Sequence, residues 1–143
     1  MLSFMDNTST QAANRILLVE DEKELLDLYV TLLQQEGYDV DNASDGEMAL
    51  KKISEREYDL ILLDIILPKM DGLQILENLK KNGKLPQGKV VLLTNLGQDL
   101  VVAKALEFNV RGYIVKSDYT PEQLLREVKG YLNNGEVTSS LMS

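Results

Sequence analysis

The chain has 143 residues, of which 44% are apolar, and its formal net charge is -8 with a pI near 4.6. This length predicts a single domain with one core, and the acidic balance argues against a nucleic-acid-binding surface. Cysteine and histidine are absent from the sequence, which excludes disulfides, thiolate or histidine metal sites, histidine bases and phosphohistidine on this chain.

The two ends of the chain are polar. No apolar run approaches the roughly 20 residues of a membrane span, and residues 1–14 lack the basic and apolar regions of a secretory signal. Because residues 1–14 are rich in Ser, Thr, Asn and Gln, we expect a disordered tail there, an ordered domain over 15–134 and a second tail over 135–143. A cytoplasmic protein without membrane contact is the simplest expectation.

Strand and helix patterns alternate through the first half of the chain. Short apolar or alternating runs predict strands over 15–19, 38–42 and 59–63. A helical spacing of leucines predicts a helix over 22–36, with Gly37 ending it. The sequence from Ser44 to Glu47 has the pattern of a capping box and predicts the start of a second helix.

The same alternation continues through the second half. Asp71 is the expected N-cap of a helix that runs to about residue 81. Strands are predicted over 89–93 and after Gly112, with a helix over 98–108 between them. Thr120 and Pro121 begin a last helix that ends near 133–135. Five successive strand–helix units predict a doubly wound α/β fold with a parallel sheet and five helices.

Polar residues follow four of the predicted strands, at the point where each apolar run ends. In an open α/β sheet, ligands bind beyond the carboxyl ends of the strands. One edge of the sheet is therefore expected to bring together three acids, a hydroxyl and an ammonium group, a combination that suits a divalent cation and a phosphoryl group. These residues are Glu20, Asp21, Asp64, Thr94 and Lys116.

These five residues resemble the functional residues of the receiver domain of bacterial response regulators. The spacings of 30 residues from Asp64 to Thr94 and 52 from Asp64 to Lys116 fit that family, as does the proline-glycine loop over 67–72. The resemblance covers about 15–133. It implies the flavodoxin-like strand order 2-1-3-4-5, which places the first and third strands side by side.

The resemblance also implies a role for each residue. Asp64 would be the phosphoacceptor, and Mg²⁺ would bind Asp21, Asp64, the backbone carbonyl of Ile66 and, through a water, Glu20. Thr94 and Lys116 would bind the phosphoryl oxygens. The donor would be a sensor histidine kinase, a histidine phosphotransfer protein or a small phosphodonor, as in two-component phosphorelay signal transduction.

A conformational switch is implied as well. Thr94 would move toward the phosphoryl group and Tyr113 would turn into the space that it leaves. This movement would change the face formed by the fourth helix, fifth strand and fifth helix, where an unknown downstream protein would bind.

Several residues depart from the family pattern. Ser117 stands where a proline, often after a cis bond, is usual, so either the bond is strained or the loop is relaxed and places Lys116 differently. Asn95 replaces a small residue. Ile66 and Leu96 are apolar at the two positions that tune hydrolysis, which predicts a long-lived phosphoryl group. Residues 109–112 lack the acidic residues of one common receiver dimer, so dimerisation through that face is not expected.

Other functions remain open. One is a receiver-like interaction module that works without phosphorylation. A second is a Mg²⁺-dependent aspartyl-phosphate phosphatase, which is disfavoured because Ile66 stands where such enzymes carry a second acid. A flavodoxin-type cofactor carrier ranks last, because Glu20 to Glu22 would repel a phosphate. We expect no enzyme beyond a protein that assists its own phosphorylation and dephosphorylation.

Overall fold

Strands and helices alternate in the computed structural model, which describes residues 13–95 and 97–133. The strands are β1 (Arg15–Val19), β2 (Asp39–Ala43), β3 (Leu60–Asp64), β4 (Val90–Thr94) and β5 (Gly112–Val115). The α-helices are α1 (Lys23–Gln35), α2 (Gly46–Glu55), α3 (Gly72–Lys81), α4 (Asp99–Ala105) and α5 (Pro121–Leu132). Short 3₁₀ turns cover Leu106–Phe108 and Lys116–Asp118.

All five strands form one parallel sheet in the order β2-β1-β3-β4-β5. The predicted flavodoxin-like fold is confirmed. The chain goes outward from β1 to β2 and then returns to β3 on the other side of β1, so the strand order reverses between β1 and β3. Since Val19 pairs with Leu63 in register, the residues that follow β1 lie beside the end of β3.

Apolar side chains alternate between the two faces of the sheet, and each face has its own core. Leu63 of β3 packs on one face with residues of α2 and α3, such as Ile53 and Ile75. Leu62 packs on the other face with residues of α1 and α5, such as Leu33 and Val128. Because β3 is buried along its whole length, it holds the residue at its end in a fixed position.

Three strands lie one residue further along the chain than predicted. Strands predicted over 38–42, 59–63 and 89–93 lie at Asp39–Ala43, Leu60–Asp64 and Val90–Thr94. Asp64 pairs with Leu93 and Thr94 with Val115. The two polar residues are therefore the last members of their strands, because their backbones still pair with a neighbouring strand.

Two helix predictions also need correction. The helix predicted over 98–108 is α-helical only to Ala105 and ends as a 3₁₀ turn, because Asn109 takes the left-handed conformation at φ 59°. The N-cap of α2 is Asp45 instead of Ser44, since the Asp45 carboxylate accepts a 2.8 Å hydrogen bond from the Met48 amide. The predicted caps at Asp71 and Thr120 are confirmed.

Parts of the sequence predictions concern residues outside the described ones. These are most of the expected N-terminal tail, the tail over 135–143 and Leu96. None of the helices in the described part of the chain has the length and apolarity that a membrane crossing requires.

Candidate functional site

Three carboxylates meet where β1 and β3 end. Glu20 and Asp21 follow β1, Asp64 ends β3, and each offers an oxygen within 4.8 Å of the other two. Glu20 is fully buried and Asp64 is 3% exposed, whereas Asp21 is exposed. The adjacency of the two strands, which the family resemblance implied, thus brings the predicted acids together.

Lys116 reaches this cluster from the end of β5. Its Nζ donates to Glu20 Oε1 at 3.0 Å and to Asp64 Oδ2 at 2.9 Å. The Lys116–Ser117 peptide bond is trans and lies in a 3₁₀ turn. Serine in place of the usual proline therefore does not keep the ammonium away from Asp64.

Backbone amides fix the other oxygens of the two buried acids. Asp64 Oδ1 accepts from the Ile66 amide at 3.1 Å, and Glu20 Oε2 accepts from the Glu22 amide at 3.1 Å. Among the described residues, no buried side-chain nitrogen or oxygen lacks a hydrogen-bond partner. The cluster is a fully bonded network, which keeps both carboxylates oriented.

The electrostatic balance of this network is negative. Burial raises the pKa of Asp64 to about 6; the hydrogen bond from Lys116 opposes this shift and the charge of Glu20 adds to it. Burial works against the charge of Lys116, but its hydrogen bonds to Asp64 and Glu20 outweigh burial, and the pKa of Lys116 is raised. One ammonium thus faces the two buried acids and exposed Asp21, an arrangement that favours a further cation.

The donor set suits Mg²⁺. Carboxylate oxygens are the ligands that this hard cation prefers, and it keeps several waters when only a few protein ligands are present. The exposed position of Asp21 leaves room for those waters on the solvent side. The Ile66 amide contacts Asp64, so the Ile66 backbone borders the cluster, while the predicted role of its carbonyl as a ligand stays a prediction.

Thr94 lies at the end of β4, the next strand along the sheet, and is only 2% exposed. Its Oγ1 lies 2.6 Å from Gln98 Oε1 and 3.1 Å from the Asn95 backbone carbonyl. The Asn95 amide donates to the same Gln98 oxygen at 2.9 Å. Gln98 is a residue that the sequence analysis missed. The only signal available was a glutamine four residues after Thr94, at the start of a predicted helix.

Tyr113 lies on β5 and is 49% exposed. It borders a groove of about 230 Å³ between β4, β5 and α4. Thr94 borders the same groove, so the two predicted switch residues share one space. The other residues along the groove are Asn95, Asp99, Val102, Ala103, Leu106 and Val115.

Ile66 is also largely exposed, at 49% of its surface. Ile66 follows the buried Asp64 by two residues. The isoleucine side chain carries no proton-transferring group, and its predicted effect on hydrolysis stays a prediction.

A comparison with known families matches the chain to one of them. A sequence model described as the response regulator receiver domain matches residues 16–129. A curated relative, the transcriptional regulatory protein CpxR homolog of Haemophilus influenzae, is 34% identical over 91% of this chain and 55% of its own length. The chain spans about half the length of the curated relatives it matches.

Solved structures give the same result. A CheY-like response regulator receiver domain protein of Methanospirillum hungatei is 31% identical, with a TM-score of 0.75 over 87% of this chain and 97% of the other. The response regulator TrrA of Thermotoga maritima, solved in complex with Mg²⁺-BeF, is 35% identical, with a TM-score of 0.68 over 82% of this chain and 98% of the other.

Proposed function

Because the chain belongs to the response regulator receiver domain family, we propose that it is a phosphoacceptor whose Asp64 takes a phosphoryl group from a phosphohistidine on another protein. The observation that carries this proposal is the buried Asp64 carboxylate, held by Lys116 beside two further acids. The donor is a sensor histidine kinase or a histidine phosphotransfer protein, because this chain has no histidine of its own.

The proposed chemistry is a substitution at phosphorus. A carboxylate oxygen of Asp64 bonds to phosphorus while the bond from phosphorus to the donor nitrogen breaks, and the electron pair of that bond returns to the imidazole. The product on this chain is an acyl phosphate. Asp64 must be ionised to react, and with a pKa of about 6 it is mostly ionised at neutral pH.

The neighbouring residues supply charge and orientation. Lys116, already 2.9 Å from Asp64 Oδ2, is placed to neutralise a phosphoryl oxygen. Glu20, Asp21, Asp64 and the Ile66 carbonyl would hold Mg²⁺, which would screen these acids from the incoming anionic group. The Ile66 amide keeps one Asp64 oxygen in a fixed direction.

The proposed output of phosphorylation is a change in the shape of one protein-binding surface. Thr94 turns its hydroxyl from Gln98 to a phosphoryl oxygen, and Tyr113 moves into the groove that both residues border. The altered surface lies on α4, β5 and α5, and a downstream protein binds there. In this proposal the chain assists its own phosphorylation and dephosphorylation and catalyses no other reaction.

Intact mass after incubation with Mg²⁺ and acetyl phosphate tests the proposal. We expect the parent protein to gain one phosphoryl group and Asp64→Asn to gain none. Asp59→Asn is the matched control, since Asp59 is exposed and lies at the opposite end of β3, and it should be phosphorylated like the parent.

Two results would contradict the proposal. One is an equal gain in Asp64→Asn, which would place the phosphoryl group elsewhere. The other is no gain with either acetyl phosphate or a phosphorylated histidine donor protein, while Mg²⁺ still binds. That result would favour a receiver-like module that works without phosphorylation.

A further inference from the structure

We propose that Gln98 is a positioning residue that holds Thr94 in its resting conformation, so that breaking the Thr94–Gln98 hydrogen bond is a step of the switch. This inference rests on the proposed function, in which Thr94 binds a phosphoryl oxygen. It adds a residue and a contact that determine how easily the switch occurs.

The direction of the hydrogen bond follows from its neighbours. The Asn95 amide can only donate, so the Gln98 side-chain atom 2.9 Å from it must be the acceptor Oε1. The Thr94 hydroxyl, 2.6 Å from the same oxygen, must therefore donate to it. A hydroxyl has one proton, and both acceptors that the described residues place within reach, Gln98 Oε1 and the Asn95 carbonyl, lie on the loop that leads to α4. The resting Thr94 thus has no proton left for a phosphoryl oxygen.

The contact is not an ordinary helix cap. Gln98 is the N-cap residue of α4, yet its side chain makes no hydrogen bond to the amides of that helix. In the capping box of α5, by contrast, the Thr120 hydroxyl accepts from the Gln123 amide and Gln123 Oε1 accepts from the Thr120 amide. The Gln98 side chain is directed backward to β4, so it joins the start of α4 to the residue that would bind the phosphoryl group.

This arrangement gives phosphoryl binding a direct effect on α4. When Thr94 donates to a phosphoryl oxygen, Gln98 loses one of the two donors that hold it. The connection between the end of β4 and the start of α4 is then weakened beside the groove that Tyr113 shares with Thr94. A variant without the acceptor should reach the switched state more easily.

The experiment uses the whole chain with threonine methyl labelling and NMR. In the absence of ligand, the three-bond couplings of Thr94 report its χ1 rotamer. We expect one rotamer in the parent and rotamer averaging in Gln98→Ala. Titration with beryllofluoride and Mg²⁺ then measures binding of a phosphoryl analogue, and Gln98→Ala should bind roughly fivefold more tightly, the factor that corresponds to a typical net hydrogen bond.

Three further variants separate positioning from general stability. Gln98→Glu keeps an acceptor oxygen and should restore the single Thr94 rotamer. Gln123→Ala removes a comparable side-chain contact at the start of α5 and should change neither the rotamer nor the affinity for the analogue. In a Thr94→Ala background, Gln98→Ala should have no further effect on affinity, because Gln98 acts through Thr94.

The inference is wrong if Gln98→Ala leaves the Thr94 rotamer and the analogue affinity unchanged, or if its effect on affinity persists in the Thr94→Ala background. Failure of the proposed function looks different, because the parent protein would then bind no analogue at all. In that case the ligand-free couplings decide alone: averaging in Gln98→Ala with recovery in Gln98→Glu supports the positioning role, and a single rotamer in both overturns it.

Discussion

Asp64 carries its charge at a position where burial favours the protonated form. Its pKa of about 6 lies above the ordinary value of 3.8. A raised pKa means that the folded state binds the proton more tightly than the unfolded chain does. The stabilisation from this proton is therefore complete below about pH 4 and is lost as the pH rises through about 6. Above that pH, the ion-free protein holds an unfavourable buried charge.

Asp64→Asn should consequently stabilise the protein in the presence of a chelator. Asparagine retains the shape and removes the charge, while Lys116 keeps its ion pair with Glu20. From the shift in pKa we expect a gain on the order of 2 kcal/mol near pH 7.5 that vanishes near pH 4. Urea unfolding across this pH range measures the difference. Glu57→Gln, at an exposed carboxylate at the opposite edge of the sheet, is the control and should show no such pH-dependent gain.

In the proposed function, the lifetime of the acyl phosphate should depend on a second residue, Ile66. Because exposed Ile66 cannot orient an attacking water, the phosphoryl group on the parent should be long-lived. Ile66→Asn should shorten its half-life by about tenfold, which corresponds to about 1.4 kcal/mol of activation free energy. The decay of the phosphorylated mass after removal of the donor measures this. An unchanged half-life in Ile66→Asn, or rapid decay in the parent, would contradict the prediction.

At the scale of single residues, the sequence predicted which residues form the acidic cluster better than it predicted their contacts. Asp64 and Lys116 were predicted because a parallel sheet must bring the ends of its strands to one edge. Gln98 was not predicted, because its contact with Thr94 depends on how the short loop after β4 turns, and no strand or helix period determines that turn. The trans bond at Ser117 was one of two alternatives that the sequence left open.

At the scale of elements, α2 approaches the loop after β3 more closely than the hydrophobic pattern indicates. A Cβ atom on Gly46 would lie 1.7 Å from the Met70 carbonyl oxygen. Lys69 has a φ of 68°. Its ammonium lies 3.5 Å from the Asp45 carboxylate and 3.8 Å from the Glu47 carboxylate, both at the start of α2. The N-terminus of α2 therefore supports the loop that begins at the functional site.

Gly46→Ala tests this close approach. Helix propensity alone predicts that alanine stabilises a helix by about 1 kcal/mol relative to glycine. The contact with Met70 predicts the opposite, a decrease of about 2 kcal/mol or more in the free energy of unfolding, because the backbone of either α2 or Met70 must move. Chemical unfolding distinguishes the two signs. Gly83→Ala is the comparison variant. A Cβ atom at Gly83 would meet nothing within 4 Å, but the φ of 71° is unfavourable for alanine. This variant should therefore lose less unfolding free energy, about 1 kcal/mol.

Element boundaries show where local sequence rules are insufficient. The α2 cap is Asp45 instead of the predicted Ser44: both residue types are favoured N-caps, and the Asp45 carboxylate accepts from the Met48 amide. The shift of β3 and β4 by one residue has a similar cause: pairing with the neighbouring strand continues through Asp64 and Thr94, although each ends an apolar run.

For the molecule as a whole, the net charge of -8 and the acidic cluster both favour cation binding. Mg²⁺ at about ten times its dissociation constant should stabilise the fold by about 1.4 kcal/mol. Asp21→Asn should lose most of this effect at the same Mg²⁺ concentration, and it should not disturb the fold because Asp21 is exposed. Thermal unfolding in MgCl₂ and in NaCl of equal ionic strength measures the specific part. Equal stabilisation by the two salts would contradict a Mg²⁺ site.

The ion pair between Lys116 and Glu20 joins residues that are 96 positions apart. A ribosome synthesises the chain from its N-terminus, so Glu20, Asp21 and Asp64 emerge well before Lys116. A nascent chain that has completed β3 but not β5 holds the acids without the ammonium that partly balances them. In the proposed function, the ability to accept a phosphoryl group is therefore acquired only once Lys116 has been added, and unfinished chains should not compete with finished ones for the donor.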